Sequence, residues 1–251
     1  MTALEEVAPV TARDAGEDSP LLLRLDSPGT RNALSPSMVR AMRDAIERAV
    51  DERRPAIVFA SSGPTFASGM DLRQIDHADD EALRDQFRDI QSLLTAVGEA
   101  PLVTIAAVDG DAVGAGADLA LACDHRIGSV RSRFRFPGPQ FGLLLGTHRL
   151  AKETSPATAQ RLLLTGEALA AEEALAAGIL TRLVGDETPE AAAADLAGAA
   201  QRSLVDLTQL TRAVRRDGPH DSDLQLLETS MTPGLAGRMK AFRDRVGGRT
   251  R

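Results

Sequence analysis

Residues 103–124, VTIAAVDGDAVGAGADLALACD, compress a strand, a small-residue loop and the start of a helix into one run. Val103 to Val108 is apolar and mostly β-branched, and Asp109-Gly110 bounds it, so it reads as a buried strand that ends where a site can open. Gly114-Ala115-Gly116-Ala117 carries almost no side-chain bulk, and Asp118-Leu119-Ala120-Leu121-Ala122 continues with helix formers and a carboxylate in the first turn. Backbone N–H groups at such a helix start point outward with a favourable dipole, and the missing bulk admits a ligand oxygen to hydrogen-bonding distance. The same small residues would equally serve close packing of strand on helix. Two nucleotide-binding patterns are excluded: a dinucleotide fingerprint needs a third glycine where Leu119 stands, and a phosphate loop needs a Gly-Lys pair that the chain lacks.

The pattern occurs twice. Residues 55–60, PAIVFA, form a second apolar strand followed by Ser61-Ser62-Gly63-Pro64, and then by Phe66-Ala67-Ser68-Gly69-Met70-Asp71-Leu72, again small residues ending in a carboxylate. Two such loops on adjacent strands of one sheet can aim their N–H groups at one oxygen, which is how an oxyanion hole for acyl transfer or enolate chemistry is built.

Around these loops the chain alternates strands and helices. Residues 1–19 read as a tail or ragged first strand, 21–25 as a strand, and Ser35-Pro36 as the cap and first position of a helix running to Val50, with Met38, Met42, Ile46 and Val50 on one face. An acidic, amphipathic helix follows over 79–97, with Phe87, Ile90, Leu94 and Val97 on its buried face. Strands are expected at 125–130, 132–136 and 179–184, helices at 157–164 and 171–177, and helical structure from Pro189 onward. An α/β core with a helical C-terminal cap or oligomerisation arm results.

With 251 residues there is room for one large domain, and a net charge of −7 argues against general affinity for nucleic acid or anionic membrane. Cys123 is the only cysteine, which rules out an internal disulfide and a cysteine-based zinc site and fits a reducing cytoplasm. The start, MTALEEVAPV, lacks the basic opening and apolar centre of a signal peptide, and no apolar run approaches the roughly 20 residues of a membrane span.

PTFASGMDL and AAVDGDAVGAGADLALACDHRI, with RNALS ahead of them and RLLLTGEALAAEEALAAGIL behind, resemble the enoyl-CoA hydratase/isomerase superfamily, the crotonases, over nearly all of residues 21–246. The resemblance implies an α/β fold, a spiral of ββα units over residues 20–187, and a helical region over 188–251 that assembles a homotrimer or a dimer of trimers. It implies an acyl-CoA thioester as substrate, no cofactor beyond the coenzyme A of that substrate, and no metal. The thioester oxygen would be held by the N–H groups of Met70 and Ala115, the latter where relatives usually carry glycine. Gly114 stands beside that hole. Ser68, Asp71 and Leu72 would lie by the adenine, and Arg31 and Ala33 by the phosphates and pantetheine. Phe242 and Arg245, in MKAFRDR, would reach the adenosine phosphate of a neighbouring subunit, while Arg31 and Arg245 would equally serve as solvated surface charges.

The catalytic pair departs from the family. Hydratases use two glutamates at the α and β carbons. The first position is Asp118, one methylene shorter, which sets its oxygen roughly 1.5 Å further back; the same carboxylate would also suit a helix N-terminus. The second falls on Gly138 of FRFPGPQFG, where a substrate group is expected but no acid, and Glu153, the next carboxylate, lies in a different motif. The following loop is shorter than in ordinary hydratases and brings up His148, a second candidate proton donor or a capping residue. The segment from Ile75 to Phe87, with His77, is expected to line the acyl end. A glycine-proline at the second acid position also occurs in the dihydroxynaphthoyl-CoA synthase branch, but that branch's tyrosines are absent from a chain that has none.

Overall fold

The computed structural model describes residues 10–13, 19–201, 207, 211, 228, 231 and 233–247. The expected tail at 1–9 and 14–18, most of the helical run expected between 202 and 230, and the side chain of His77 lie outside the described residues. The strands are β1 (Val10–Arg13), β2 (Leu21–Leu25), β3 (Ala56–Ser61), β4 (Thr65–Ala67), β5 (Val103–Val108), β6 (Asp111–Val113), β7 (His125–Gly128), β8 (Arg133–Arg135), β9 (Ala168–Ala170) and β10 (Arg182–Leu183). The helices are α1 (Pro36–Asp51), α2 (Asp80–Glu99), α3 (Ala115–Ala122), α4 (Thr147–Glu153), α5 (Pro156–Thr165), α6 (Ala171–Ala176), α7 (Pro189–Gln201) and α8 (Leu235–Gly247).

Two sheets carry the fold. The larger runs β1-β2-β3-β5-β7-β10, parallel except for the antiparallel β1 edge, and the smaller runs β4-β6-β8-β9, parallel except for β9. The chain passes along a strand of the large sheet, crosses to a short strand of the small one and returns through a helix, as β3-β4-α2, β5-β6-α3 and β7-β8-α4. This is the α/β spiral of ββα units expected from the sequence, with a helix at its C-terminal end.

Its large sheet is buried on both faces, which is why β3 and β5 read as unbroken apolar runs. Ile57 and Phe59 point into the main core beneath α1 and α2. Ala56, Val58 and Ala60 face the other way, with Ile105, Ala107 and Ile127, onto Ala192, Ala193 and Ala197 of α7. Small residues on that face let the alanine-rich helix approach closely. At the start of α1, Ser35 accepts a hydrogen bond from Met38 N–H at 3.2 Å, and Asp79 does the same for Ala82 at 2.9 Å to start α2. Of the four residues expected on the face of α1, Met38, Met42 and Ile46 are buried, while Val50 at its end is only partly so.

The strand expected at 179–184 contracts to β10. Ile179 and Leu180 are buried, but their backbone is used elsewhere: Leu180 N–H donates to Ala174 O at 3.0 Å, and Ile179 O accepts from Arg126 Nε at 2.7 Å. Arg126, only 3% exposed, also donates to Cys123 O at 2.8 Å and to Glu153 Oε2 at 2.5 Å. Among the described residues no helix is long and apolar enough to cross a membrane.

Glu153 therefore neutralises a buried cation that fastens β7 to the end of α4. Glu153→Ala should lower stability by about 1–3 kcal/mol, read from urea unfolding, while leaving turnover of any substrate intact.

Candidate active site

The site begins where the two small-residue loops meet. β3 and β5 are neighbours in register, Ala56 opposite Val103 and Phe59 opposite Ala106, and the short strands that follow them, β4 and β6, pair in turn. The chain leaves β4 through Ser68-Gly69-Met70 and leaves β6 through Gly114 into α3. Gly69 has φ +82°, and a Cβ on it would stand 2.6 Å from Val113 O and 3.2 Å from Ala115 N. A Cβ on Gly116 would lie 2.7 Å from Ala67 C and Ala67 Cβ. The two turns thus touch backbone to backbone, and glycine at 69 and 116 is what lets them.

A third segment holds the first turn. Leu34 N–H donates to Gly69 O at 2.8 Å and Ser68 N–H to Arg31 O at 3.1 Å. Asn32, fully buried and left-handed at φ +53°, anchors that segment: it accepts from Ser27 N–H at 2.8 Å and donates to Ser62 O at 3.0 Å and Thr65 O at 2.8 Å. In the second turn Gly114 N–H donates to Arg135 O at 2.8 Å, and Gly114 O accepts from Asp118 N–H at 3.0 Å. No described residue accepts a hydrogen bond from Met70 N–H or from Ala115 N–H, the first amide of α3. Both residues are buried and line one cavity of about 500 Å³.

That cavity gathers most of the sequence-derived candidates. Met70, Ala115 and Asp118 line it together, as do Arg31, Ala33, Ser68, Asp71, Leu72, Gly114, Gly138 and Phe242. Asp118 is 4% exposed and one turn into α3, on the same helical turn as Ala115. Apolar side chains from distant elements complete the walls, among them Phe87 of α2, Phe136, Leu143 and Met239 of α8. Of the described residues in the segment expected to line the acyl end, only Phe87 is among the lining residues.

The charged groups at the cavity are mostly paired. Asp71 accepts from Arg73 Nε at 2.9 Å and Nη2 at 2.6 Å, and it caps the 3-10 turn Leu72–His77 through Arg73 N–H at 3.1 Å. Those hydrogen bonds hold its carboxyl below the ordinary 3.8, against burial, which raises it. A lowered value keeps the pair formed at neutral pH and releases it only as acid passes below that range. Arg31 pairs with Asp111 at 3.0 Å, and Arg135 Nε donates to Gly166 O at 2.7 Å. Among the described residues no three His, Cys, Asp or Glu side chains gather as metal ligands.

Three further candidates lie around that cavity or apart from it. His148 stands exposed on the first turn of α4 and is not among the described residues that line the cavity, whereas Leu143 and Leu145 of the loop before it are. Arg245 is exposed and outside the lining, its guanidinium 6.0 Å from the Phe242 ring centroid. Phe242 itself lines the cavity of its own chain, its ring 5.2 Å from that of Phe141. Helix α8 is held there by Arg238 Nε on Phe141 O at 2.7 Å and by Asp80, which accepts from Gly234 and Ala236 N–H at 2.5 and 2.9 Å. Sequence reasoning passed over Asn32 as a framework residue, and also Arg73, Arg133 and Arg135 at the cavity. A buried asparagine in a left-handed turn has a recognisable residue type, whereas Arg133 and Arg135 become visible only once β6 and β8 are paired.

A family model for enoyl-CoA hydratase/isomerase matches residues 16–230. The chain belongs to that family. Over 223 residues it is 30% identical to enoyl-CoA hydratase domain-containing protein 3, mitochondrial, of Rattus norvegicus, covering 81% of this chain and 74% of the rat protein. The zebrafish (Danio rerio) protein of the same name is 34% identical over 66% of this chain and 59% of its own length. A probable enoyl-CoA hydratase of Mycobacterium bovis is 33% identical over 70% of this chain and 72% of its own. Among solved structures, an enoyl-CoA hydratase/isomerase from Bordetella parapertussis superposes with a TM-score of 0.88 at 30% identity, covering 94% of this chain and 98% of that one. One from Xanthobacter autotrophicus Py2 gives 0.82 at 26% identity, over 96% and 94%.

At Gly138, where the resemblance sets the second acid position, there is a local reason for glycine. A Cβ on Gly138 would come 2.8 Å from Leu143 O, and Leu143 N–H donates back to Gly138 O at 3.0 Å. The loop folds over that residue, so the space beside it belongs to the backbone of Leu143.

Gly69→Ala places a methyl group against Val113 O at a left-handed φ. It should cost more than about 1 kcal/mol in stability and spread the two amides, abolishing binding of a thioester analogue measured by calorimetry.

Proposed function

We propose that this member of the enoyl-CoA hydratase/isomerase family acts on an acyl-CoA thioester, holds its carbonyl oxygen on the Met70 and Ala115 N–H groups, and moves a proton with Asp118. The observation that carries the reading is the meeting of the two turns at Gly69 and Ala115, with both amides and Asp118 on one cavity. Removing a proton from the carbon chain sends an electron pair to the thioester oxygen. Two preorganised amides, one at the positive end of α3, are suited to that charge, and each such donor is typically worth about 2.7–4 kcal/mol in the transition state. The apolar walls strengthen the effect by keeping water away. Arg31, Ala33, Ser68, Asp71 and Leu72, on the same cavity, are then positioned for the coenzyme A portion, and the arginines for its phosphates.

Asp118 is asked to do the proton work without the partner that hydration uses. Leu143 occupies the space beside Gly138, which favours a reaction that one carboxylate can complete. In a double-bond shift the carboxylate takes a proton from one carbon, the electron pair passes to the oxygen as an enolate, and the resulting acid returns the proton to another carbon. Nothing is gained or lost, and no activated water is required. Hydration would need a second group to hold the water.

The expected assembly, a homotrimer or a dimer of trimers, belongs to the same proposal. Leu164 of α5, 74% exposed, and Leu175 of α6, 39% exposed, are apolar surface that such an assembly would cover. Sedimentation equilibrium measures it.

Purified protein should convert a 3-enoyl-CoA to its conjugated isomer, seen as a gain of conjugated-thioester absorbance. Bleaching of crotonyl-CoA would indicate hydration, thiol release hydrolysis, and tight coenzyme A binding without turnover of any thioester a carrier or binding subunit. Asp118→Asn should lower turnover about 10²–10⁴-fold with coenzyme A affinity unchanged; undiminished turnover would remove Asp118 from the mechanism.

A further inference from the structure

The loop that supplies no second acid contributes something else. Gly146 ends it, at φ +65°, as the residue before α4, and its O accepts from Leu150 N–H at 3.0 Å. A Cβ built on Gly146 would lie 2.6 Å from Asp118 Cγ, 3.2 Å from Asp118 Cβ and closer still to Oδ1. The carboxylate thus fills the volume that any side chain at 146 would need. Asp118 is 4% exposed and sits on a fully buried helix, so it has little freedom to move aside.

We infer that Gly146 is a positioning residue for Asp118: its bare Cα is the seat against which the carboxylate rests, and it fixes the side chain's direction across the cavity. The inference deepens the proposed function and rests on it only for its kinetic consequence. The physical argument is one of steric complementarity in a close-packed interior, where displacing a group by one methyl group forces a rotamer change or a backbone shift. Here the group displaced is the side chain of the proposed proton carrier, and neither the Met70 nor the Ala115 amide is among the nearest atoms that a Cβ at 146 would meet.

Two arms test the seat. In the kinetic arm, Gly146→Ala should lower kcat by about 10²-fold, the scale of a small misplacement of a reacting group, with KM and coenzyme A affinity little changed. Added to Asp118→Ala, the same substitution should produce no further fall in the residual rate. The stability arm uses no substrate. Gly146→Ala should lower the melting temperature markedly in the wild-type background and much less in Asp118→Ala, where Cγ and both oxygens are gone. The left-handed φ penalises alanine alike in both backgrounds, so the difference between them isolates the carboxylate contact. Should Gly146→Ala alone fail to fold, its folding in combination with Asp118→Ala supports the seat; failure in both backgrounds overturns it. Equal losses of melting temperature in the two backgrounds also overturn it, leaving Gly146 as a turn residue only. If instead the stability coupling is present and Asp118→Asn turns over normally, the seat stands and the proton-transfer role falls.

Discussion

The site depends on a backbone-to-backbone contact. Gly69 lies against the Val113–Ala115 backbone, and Gly116 lies against Ala67, at distances a Cβ on either glycine would make impossible. Close approach of two main chains forgoes side-chain packing, so it has to be supported from behind. The parallel pairing of β3 with β5 and of β4 with β6 supplies that support, fixing the height at which each turn leaves its sheet. Asn32 supplies the lateral restraint by tying the preceding segment to Ser62 and Thr65. The eight residues of α3 are all buried, so the helix that carries the second amide is held on every side.

Much of this was legible in the letters, because some signals are local. Serine and aspartate before the first helical turns, glycine and proline at the bends, and apolar runs too short for helices place α1, α2, β2, β3 and β5 within a residue or two. The small-residue character of 66–70 and 114–117 was equally visible. What escaped was whatever a partner defines. β4 and β6 are three residues each, carry no periodicity, and become strands only by pairing with one another and with β8. Ile179 and Leu180 have strand composition, yet Arg126 and Ala174 claim their backbone groups.

The same division separates the site residues. Met70 follows closely on β4, and Ala115 and Asp118 open the helix that follows directly on β6, so sequence order locates them. His148 and Arg245 sit on helices, where a rotation by one residue turns a side chain through about 100°, and sequence spacing to the next motif does not fix that rotation. The meaning of Gly138 could not be read in one dimension. The resemblance reads it as a missing acid, whereas the structure shows the carbonyl of a residue five positions later folding onto it.

The cavity draws its wall from Gly29 at one extreme and Phe242 at the other, with the Phe141–Phe242 ring pair on one side. A chamber assembled from segments so remote along the chain rests on non-local contacts, and such contacts slow folding because loop entropy must be surrendered before they form. Until α8 settles, Phe141, Leu143 and Met70 would face solvent as an apolar hollow. The arginine–carbonyl contact at Phe141 is one of the bonds that hold α8 over that surface.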